Sequence, residues 1–335
     1  MHKLSNIHNV TVIIAVCVMC FFLCTGCGSR DNTTVYEGFY FDTYINVTIY
    51  GKCDKGIVNE LDELCKKYDV MLSEGNAGGD IGRLNASETG CLVDAETAGL
   101  IADALEYAAD TGGMVDPTVM TVSELWNFSG ETNEVPDNEL INDALKYVDY
   151  RNVTVDGKAV LLAPGTKITL GFIAKGYIAD RIAEYLKGKG VKNAIINLGG
   201  NVMCIGGKQD GKAFAVGIKK PFTEGEMLRT IEVNDASVVT SGIYERCFYA
   251  DGELYHHILS TQTGYPIHNY IDGREVYSVT IVGPSSEVCD ALSTTLFILG
   301  YDAGQKYIED YEGYGAIFAD CDGKMYTAGE RGYFE

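Results

Sequence analysis

Positive charge is scarce in this sequence. Its 335 residues include 26 Lys and Arg against 47 Asp and Glu, which gives a formal net charge of −21. Because nucleic acid is a polyanion and the chain has no run of Lys or Arg, we expect no nucleic-acid partner. An acidic protein that acts on an anionic substrate needs local positive charge, and a divalent cation is one source of it.

Cysteine motifs of the metal and redox types are absent beyond the first 27 residues. The 11 cysteines include four near the N-terminus, and the other seven are scattered without any CxxC spacing. This pattern excludes a zinc ribbon and a thioredoxin-like redox site. An odd, dispersed set is also a poor disulfide framework, so we expect most of the seven to be small buried residues.

The sequence also has no GxGxxG motif and no P-loop. Its closest approach to a phosphate-binding pattern is the block 168–181, which predicts a strand that turns at Gly171 into a helix over 176–189. Free N–H groups and the helix dipole favour an anion at such a turn, and Lys175 would add charge there. The glycine pattern is weak by itself, so a purely structural role stays open.

No repeat, low-complexity tract or linker divides the chain after its N-terminal segment, so we predict one large α+β domain. Apolar periodicity predicts strands at 43–50, 194–202 and 277–282, and a hairpin over 153–162 with its turn at Asp156 and Gly157. The same analysis predicts helices at 58–70, 95–111, 119–126, 136–146 and 285–299, and a loop with a short turn over 71–85.

The N-terminus has the pattern of a targeting segment. Lys3 precedes an apolar run over 10–23, and Thr25 and Gly26 come directly before Cys27. Small residues before a cysteine resemble a bacterial lipobox, although Cys24 stands where Leu is usual. The run is short for a membrane-spanning helix, which needs about 20 residues, but an ordinary anchor or a cleaved signal is the alternative.

These features predict a lipoprotein signal peptide over 1–26 and a lipidated Cys27 followed by a tether to residue 37. The domain would then span 38–335 and lie at the cell membrane, anchored by lipid on the extracytoplasmic face.

Asp290 and Thr294 lie one turn apart in the helix predicted over 285–299, so their side chains share one helix face. A carboxylate and a hydroxyl are hard oxygen ligands, which suit Mg2+ or Ca2+. Because Mg2+ takes few protein ligands and completes its shell with substrate phosphate and water, a sparse site implies a phosphorylated substrate. Such a pair is common on helices, and an exposed Asp beside a Thr bonded to its own backbone is the alternative.

Seven short motifs occur in a fixed order over nearly the whole chain after the N-terminal segment, and together they resemble the ApbE family. They are G-G-x-x-D-P-T at 112–118, I-A-K-G-Y-x-A-D-R at 173–181, N-L-G-G-N at 197–201, S-G-x-Y-E-R at 241–246, Y-H-H-I at 255–258, T-G-x-P at 263–266 and D-A-L-S-T at 290–294.

The resemblance implies one domain of mixed, mainly antiparallel sheets with flanking helices. It implies a Mg2+-dependent FAD:protein FMN transferase, with FAD as substrate and an exported target protein as partner. FMN would be attached through a phosphoester to a Thr or Ser hydroxyl of the target, and AMP would be released.

The resemblance also implies roles for residues at matching positions. The metal ligands would be Asp290, Thr294 and the main-chain carbonyl of Phe172. His257 and Asp290 would be catalytic, with His257 as candidate base, while His256 is a structural candidate. The residues that contact FAD would be Met114, Val115, Asp116, Thr169 and Lys175.

Two departures from the family pattern bear on the nucleotide site. Thr169-Leu170-Gly171-Phe172 stands where the family has D-L-G-G or D-L-G-A, so a hydroxyl replaces a carboxylate and a ring replaces a small residue beside the metal. Ser260 and Thr261 replace the usual Asp-Pro. The affinity and pose of FAD therefore stay open.

Two other functions remain in view. A metal-dependent pyrophosphatase would use water in place of the target hydroxyl and give FMN and AMP. A lipid-anchored flavin-binding protein would hold FAD without turnover. The chain has no Asp-Gly-Ala-Thr acceptor motif of its own, which argues against self-modification.

Overall fold

The computed structural model describes residues 33–128 and 133–335. The predicted signal peptide over 1–26 and the lipidated Cys27 lie outside these residues. The first strand begins at Thr33 and pairs along its whole length with the next strand, so residues 33–37 belong to the sheet and the predicted domain start at 38 is too late. Within the described ranges, no helix is long and apolar enough to cross a membrane.

The described residues form strands β1 to β16 and helices α1 to α8. The strands are β1 Thr33–Tyr40, β2 Thr43–Tyr50, β3 Gly90–Leu92, β4 Val153–Asp156, β5 Ala159–Leu162, β6 Ala194–Leu198, β7 Asn201–Ile205, β8 Phe214–Lys219, β9 Met227–Val233, β10 Ser237–Gly242, β11 Cys247–Ala250, β12 Glu253–His256, β13 Tyr270–Ile271, β14 Arg274–Gly283, β15 Gly315–Asp320 and β16 Met325–Gly329. The helices are α1 Ile57–Leu72, α2 Asp80–Asn85, α3 Ala95–Asp110, α4 Met120–Ser123, α5 Asn138–Leu145, α6 Ala174–Gly188, α7 Ser286–Leu299 and α8 Tyr301–Ile308.

A nine-stranded sheet organises the part of the chain that the structure describes. Its order is β1-β2-β6-β7-β10-β14-β15-β16, with β13 paired to β14. Every strand pair among the described residues is antiparallel. The α+β prediction with mainly antiparallel sheets and flanking helices is confirmed.

The two faces of this sheet carry different layers. On one face, α7 packs against β10 and β14, and α6 packs against β6 and β7. Successive strand residues point to opposite faces. Ile281 accordingly lies in the core beneath α7, whereas Val282 packs with Phe214 and Val216 of the β8–β9 hairpin. The hairpin therefore covers the face opposite to α7.

Helices α6 and α7 approach each other closely at Gly176. A Cβ atom there would lie 2.2 Å from the Ser286 carbonyl oxygen, so only glycine fits without movement of a helix. The Asp180 carboxylate of α6 accepts hydrogen bonds from the Ser286 N–H at 2.9 Å and the Glu287 N–H at 3.0 Å. It therefore caps the N-terminus of α7 and fixes the two helices in register.

The strand predicted at Ile168 to Leu170 is wrong. Both apolar side chains are buried, as their alternation indicates, but this segment has no strand partner. The Asn85 side chain instead bonds both the N–H and the carbonyl of Ile168 at 2.8 Å, and the Thr169 N–H donates to the Pro117 carbonyl at 2.8 Å. These bonds satisfy the buried backbone without a sheet ladder.

Several predicted boundaries differ from the structure. Helix α1 continues to Leu72, α2 is a helix where a loop with a short turn is predicted, and α6 begins at Ala174 rather than 176. The helix predicted over 119–126 is a 3-10 turn followed by the short α4. The seven cysteines among the described residues are free thiols, and only Cys65, Cys204 and Cys289 are buried.

Candidate active site

The carboxylate of Asp290 lies at the N-terminus of α6. Its Oδ2 accepts a hydrogen bond from the Gly176 N–H at 2.8 Å, and the side chain is buried. Burial raises the pKa of the Asp290 carboxyl, while the Lys175 charge and the N–H groups of Gly176 and Lys175 lower it. The helix end therefore stabilises the anionic form of a carboxyl group that burial would otherwise protonate.

The Thr294 hydroxyl lies on the same face of α7, one turn after Asp290, as the sequence predicts. It forms a 2.9 Å hydrogen bond with the Ser241 hydroxyl of β10, which also bonds Ser293 at 2.7 Å. Thr294 therefore does not simply bond back to its own helix. The bond to Ser241 ties this part of α7 to the end of β10.

Phe172 lies two residues before the start of α6, so its carbonyl is not part of the helical hydrogen-bond ladder. The N–H four residues later, which a helical bond to this carbonyl would use, is that of Gly176. That N–H donates to Asp290 instead, and no backbone N–H of the described residues donates to Phe172. The Phe172 ring packs edge-on against Tyr107, with centroids 6.3 Å apart, so the bulky side chain is accommodated in a packed contact.

These groups provide oxygen ligands that fit Mg2+. Asp290 supplies a buried carboxylate, Thr294 a hydroxyl, and Phe172 a carbonyl to which no backbone N–H of the described residues donates. Within 33–128 and 133–335, no group of three or more His, Cys, Asp or Glu is arranged to hold a metal. A cation here would therefore depend on hydroxyl, carbonyl and substrate oxygens, which is the way Mg2+ is usually bound. The metal-ligand roles stay predictions.

Glu245 lies in the turn after β10, within electrostatic range of Lys175 and Asp290. Its side chain is exposed to water, yet the surrounding protein raises the pKa of its carboxyl by desolvation. Both observations hold for a side chain on a concave surface that water enters. The charges of Lys175 and Arg246 lower the pKa of Glu245, whereas the charge of Asp290 raises it. These three residues therefore lie within electrostatic range of Glu245.

His257 is held by the backbone of Arg246. The Arg246 carbonyl accepts from the His257 N–H at 3.1 Å and lies 3.3 Å from its Nδ1. Since a carbonyl can only accept, Nδ1 carries the proton and Nε2 keeps a free lone pair. Burial lowers the pKa of His257 to about 4, and the charges of Arg246 and Lys175 act in the same direction.

His256 has a structural role, as the sequence analysis suggests. It is fully buried, its Nε2 lies 3.0 Å from the Ile267 carbonyl, and its Nδ1 accepts from the Ile258 N–H at 3.3 Å. Burial lowers the pKa of His256 to about 3, and the two neighbouring histidines, His257 and His268, contribute. A neutral imidazole with both nitrogens engaged is unavailable for proton transfer.

Thr169 connects the nucleotide segment to a glutamate that the sequence analysis did not select. Its hydroxyl accepts from the Gly171 N–H at 3.0 Å and lies close enough to the Glu74 carboxyl to lower its pKa. Burial raises the pKa of Glu74, and the Thr169 hydroxyl and Arg246 lower it. Glu74 therefore lies within electrostatic range of both Thr169 and Arg246.

The predicted flavin contacts of the segment 114–116 have different surroundings. Met114 is 36% exposed, whereas Val115 is buried among Ile243 and Ile258. The Asp116 carboxylate is buried and occupied by protein donors: Oδ1 accepts from the Thr118 N–H and hydroxyl, and Oδ2 accepts from the Tyr150 N–H at 2.7 Å. Asp116 thus shapes this loop, and Met114 is the side chain that solvent reaches.

The structure groups Lys175, His257 and Asp290, because the charge of Lys175 acts on both of the others, and Thr294 lies one turn after Asp290. Thr169 lies in the segment before α6. Sequence reasoning missed Glu74, Glu245 and Arg246 as neighbours of this group. The S-G-x-Y-E-R motif contains two of these three, so its charged pair was the available signal. Glu74 lies in the predicted loop over 71–85 and had no comparable signal.

Comparison with known proteins gives a consistent result. The model of the ApbE family matches residues 41–318. A FAD:protein FMN transferase of Treponema pallidum (strain Nichols) is 32% identical over 337 residues, which covers 93% of this chain and 91% of that protein. A FAD:protein FMN transferase of Klebsiella pneumoniae (strain 342) is 33% identical over 296 residues, covering 87% and 90%.

Solved structures agree with these matches. The crystal structure of the ApbE protein of Thermotoga maritima aligns with a TM-score of 0.80 and 32% identity, over 89% of this chain and 97% of that one. The flavin transferase ApbE of Vibrio cholerae aligns with a TM-score of 0.77 and 26% identity, over 89% and 98%. With the fold, the motifs and both kinds of match in agreement, this chain belongs to the ApbE family.

Proposed function

We propose that this protein is a Mg2+-dependent FAD:protein FMN transferase that attaches FMN to a Thr or Ser hydroxyl of a target protein and releases AMP. The observation that carries the proposal is the buried Asp290 carboxylate at the N-terminus of α6, beside Lys175 and one turn from Thr294. The activity named for the relatives in Treponema and Klebsiella supports the transferase class.

The reaction moves one phosphoryl group. The target hydroxyl attacks the phosphorus of the FMN half of FAD, a new P–O bond forms, and the P–O bond to the bridging oxygen breaks so that AMP leaves. Mg2+, held by Asp290, Thr294 and the Phe172 carbonyl, would supply Lewis-acid neutralisation of the pyrophosphate oxygens. Lys175 and Arg246 provide further positive charge, and neither has an ion-pair partner in the described part of the chain.

His257 is the group that would accept the proton of the target hydroxyl. Its Nδ1 is engaged by the Arg246 carbonyl, so Nε2 presents the lone pair. With its pKa lowered to about 4, the imidazole is neutral at pH 7 and able to act as a base. His257 is partly exposed, so its imidazole can pass the proton on to solvent.

We also propose, from the sequence, that Cys27 is lipidated and that the domain acts at the extracytoplasmic face of the cell membrane. The target would then be an exported protein. Expression with a radiolabelled fatty acid tests the anchor: label on the wild type and none on Cys27→Ser is the expected result, and equal label on both contradicts it.

The experiment for the activity uses the full-length protein in detergent with FAD, Mg2+ and a small carrier protein that displays Asp-Gly-Ala-Thr in an exposed loop. Intact mass of the carrier and chromatography of the nucleotides are followed together. We expect one FMN on the carrier and an equal amount of AMP. Free FMN and AMP with an unmodified carrier would indicate a pyrophosphatase, and retained FAD without AMP would indicate a flavin-binding protein.

Asp290→Asn tests the metal site in the same assay. The amide keeps the volume but removes the charge that Mg2+ requires, so we expect Mg2+-dependent AMP release to fall at least about 100-fold. Asp302→Asn is the matched control, because Asp302 is an exposed carboxylate on the neighbouring helix α8. Normal turnover by Asp290→Asn would contradict the metal assignment.

A further inference from the structure

An exposed aromatic residue, Phe222, lies at the tip of the β8–β9 hairpin. Its side chain is 43% exposed and its backbone is left-handed, with φ of 55°. This conformation costs a bulky residue roughly 1 kcal/mol, so local preference does not explain it. The tip is nevertheless well held: Pro221 is buried, the Thr223 hydroxyl donates to the Lys220 carbonyl at 2.9 Å, and Lys220 pairs with Glu226 at 2.7 Å.

Phe222 forms a continuous surface with Tyr277 of β14 and Tyr244 of the turn after β10. Its ring centroid lies 5.2 Å from that of Tyr277 and 6.0 Å from that of Tyr244, both in edge-on geometry. The Lys219 ammonium lies 5.6 Å from the centre of the Tyr244 ring. We refer to Lys219, Phe222, Tyr244 and Tyr277 as the hairpin ledge; each of the four is at least partly open to solvent.

The hairpin ledge leads directly to the candidate active site. Tyr244 immediately precedes Glu245 in the turn after β10. Glu245 lies within electrostatic range of Lys175 and Asp290 on the helix side and of Lys219 on the hairpin side. Tyr244 therefore joins the ledge to the turn that holds Glu245.

FMN transfer needs two approaches to one phosphorus atom. The attacking and leaving oxygens lie roughly in line, on opposite sides of the transferred group. The segments predicted to contact FAD are joined to each other on the helix side, where the Thr169 N–H bonds the Pro117 carbonyl at 2.8 Å. No hydrogen bond among the described residues joins the ledge to these segments. The second approach must admit a polypeptide, and the ledge is a solvent-accessible aromatic surface that adjoins Glu245 through Tyr244.

We propose that the hairpin ledge binds the polypeptide segment of the target protein that presents the acceptor hydroxyl. This inference rests on the proposed transferase function and specifies where its protein substrate docks. Rigid aromatic rings give a peptide apolar contact at a low cost in side-chain entropy. Lys219, which has no ion-pair partner among the described residues, can donate to a main-chain carbonyl or a carboxylate of the segment.

The test measures KM for the Asp-Gly-Ala-Thr carrier protein and, separately, the affinity for FAD, with full-length protein in detergent. Phe222→Gly is the main variant, because glycine adopts a φ of 55° without strain and the fold is retained. Phe222→Trp keeps an aromatic ring. The matched control is Phe39→Ala, which removes a ring that is 70% exposed on the edge strand β1.

For Phe222→Gly we expect KM for the carrier to rise about tenfold, the effect of losing one aromatic contact at an interface. Affinity for FAD and the melting temperature should not fall, Phe222→Trp should stay within about threefold of wild type, and Phe39→Ala should be unchanged. If Phe222→Gly has the same KM for the carrier as wild type, the ledge does not bind the target protein. If its affinity for FAD falls by a similar factor, the ledge belongs to the nucleotide site instead. Absence of FMN transfer by the wild type overturns the proposed function itself and the ledge with it.

Discussion

The contact between α6 and α7 at Gly176 allows the sharpest prediction. A Cβ atom at this position would lie 2.2 Å from the Ser286 carbonyl oxygen and 2.7 Å from the Asp290 Cβ. Carbon atoms pack at about 3.5–4.0 Å, so Gly176→Ala must move the two helices apart by roughly 1 Å. The atoms that it meets belong to the backbone and to a Cβ, and rotamer changes therefore offer no relief.

The cost has two parts. Overpacking of this kind destabilises proteins by about 1–3 kcal/mol, and the short distance favours the upper end. The 2.8 Å bond from the Gly176 N–H to the Asp290 carboxylate is stretched as well, and bonds to charged groups contribute about 1.5–3 kcal/mol. We expect the free energy of unfolding to fall by about 3 kcal/mol. Since a displacement of 1 Å can cost about 100-fold in rate, Mg2+-dependent AMP release should fall by a similar factor.

The control is Gly188→Ala, at the other end of α6. A Cβ atom there meets nothing within 4 Å, and alanine favours the helix by up to about 1 kcal/mol. Urea unfolding followed by circular dichroism gives the stability of both variants, and AMP chromatography gives the activity. If Gly176→Ala unfolds at the same urea concentration as wild type and keeps its activity, close approach of the helices is not the reason for glycine at this position.

Two further predictions concern protonation and charge. His256 has a pKa of about 3 in the folded protein against about 6.5 when unfolded, so the unfolded chain binds the proton first as the pH falls. The contribution of neutral His256 to stability is complete above pH 6.5 and is lost as the pH falls towards 3. In this pH window, His256→Gln should reduce the slope of the unfolding free energy against pH by up to about 1.4 kcal/mol per pH unit. Urea titrations at several pH values measure this slope. For Arg246→Gln, loss of the charge that lowers the pKa of His257 should move the acid limb of kcat/KM for FMN transfer to higher pH, whereas Arg246→Lys should leave the limb in place. An unmoved limb in Arg246→Gln would remove His257 as the titrating base.

Regular elements of the fold follow from local sequence. Strand β2 matches its prediction at both ends, and α7 begins after the Ser285 cap, whose hydroxyl accepts from the Val288 N–H. These elements have clear periodicity and capping residues. Around Ile168 the same periodicity misleads, because alternation reports burial and does not identify the partner of the backbone. Here that partner is the Asn85 side chain, 83 residues away.

In the candidate active site, too, some contacts follow from local sequence and others do not. Asp290 and Thr294 share a helix, so their proximity follows from spacing alone. The link from Asp290 to Gly176 spans 114 residues, and the positions of Glu245 and Arg246 depend on how a turn after β10 meets α6. Such contacts are set by tertiary packing. Resemblance to a family supplied the motif histidine, but only the structure showed which of its nitrogens is free.

The family departure at Thr169 has a physical counterpart in Glu74. The family pattern that the sequence resembles has a carboxylate at the position of Thr169, where this chain has a hydroxyl, and that hydroxyl lowers the pKa of the Glu74 carboxyl. A carboxyl group is therefore present near the nucleotide segment but comes from the loop between α1 and α2. The Phe172 departure has a counterpart too, because the ring packs on Tyr107 while no backbone N–H of the described residues donates to the carbonyl. Each replacement is thus accommodated by neighbouring residues, and neither argues against the proposed transferase.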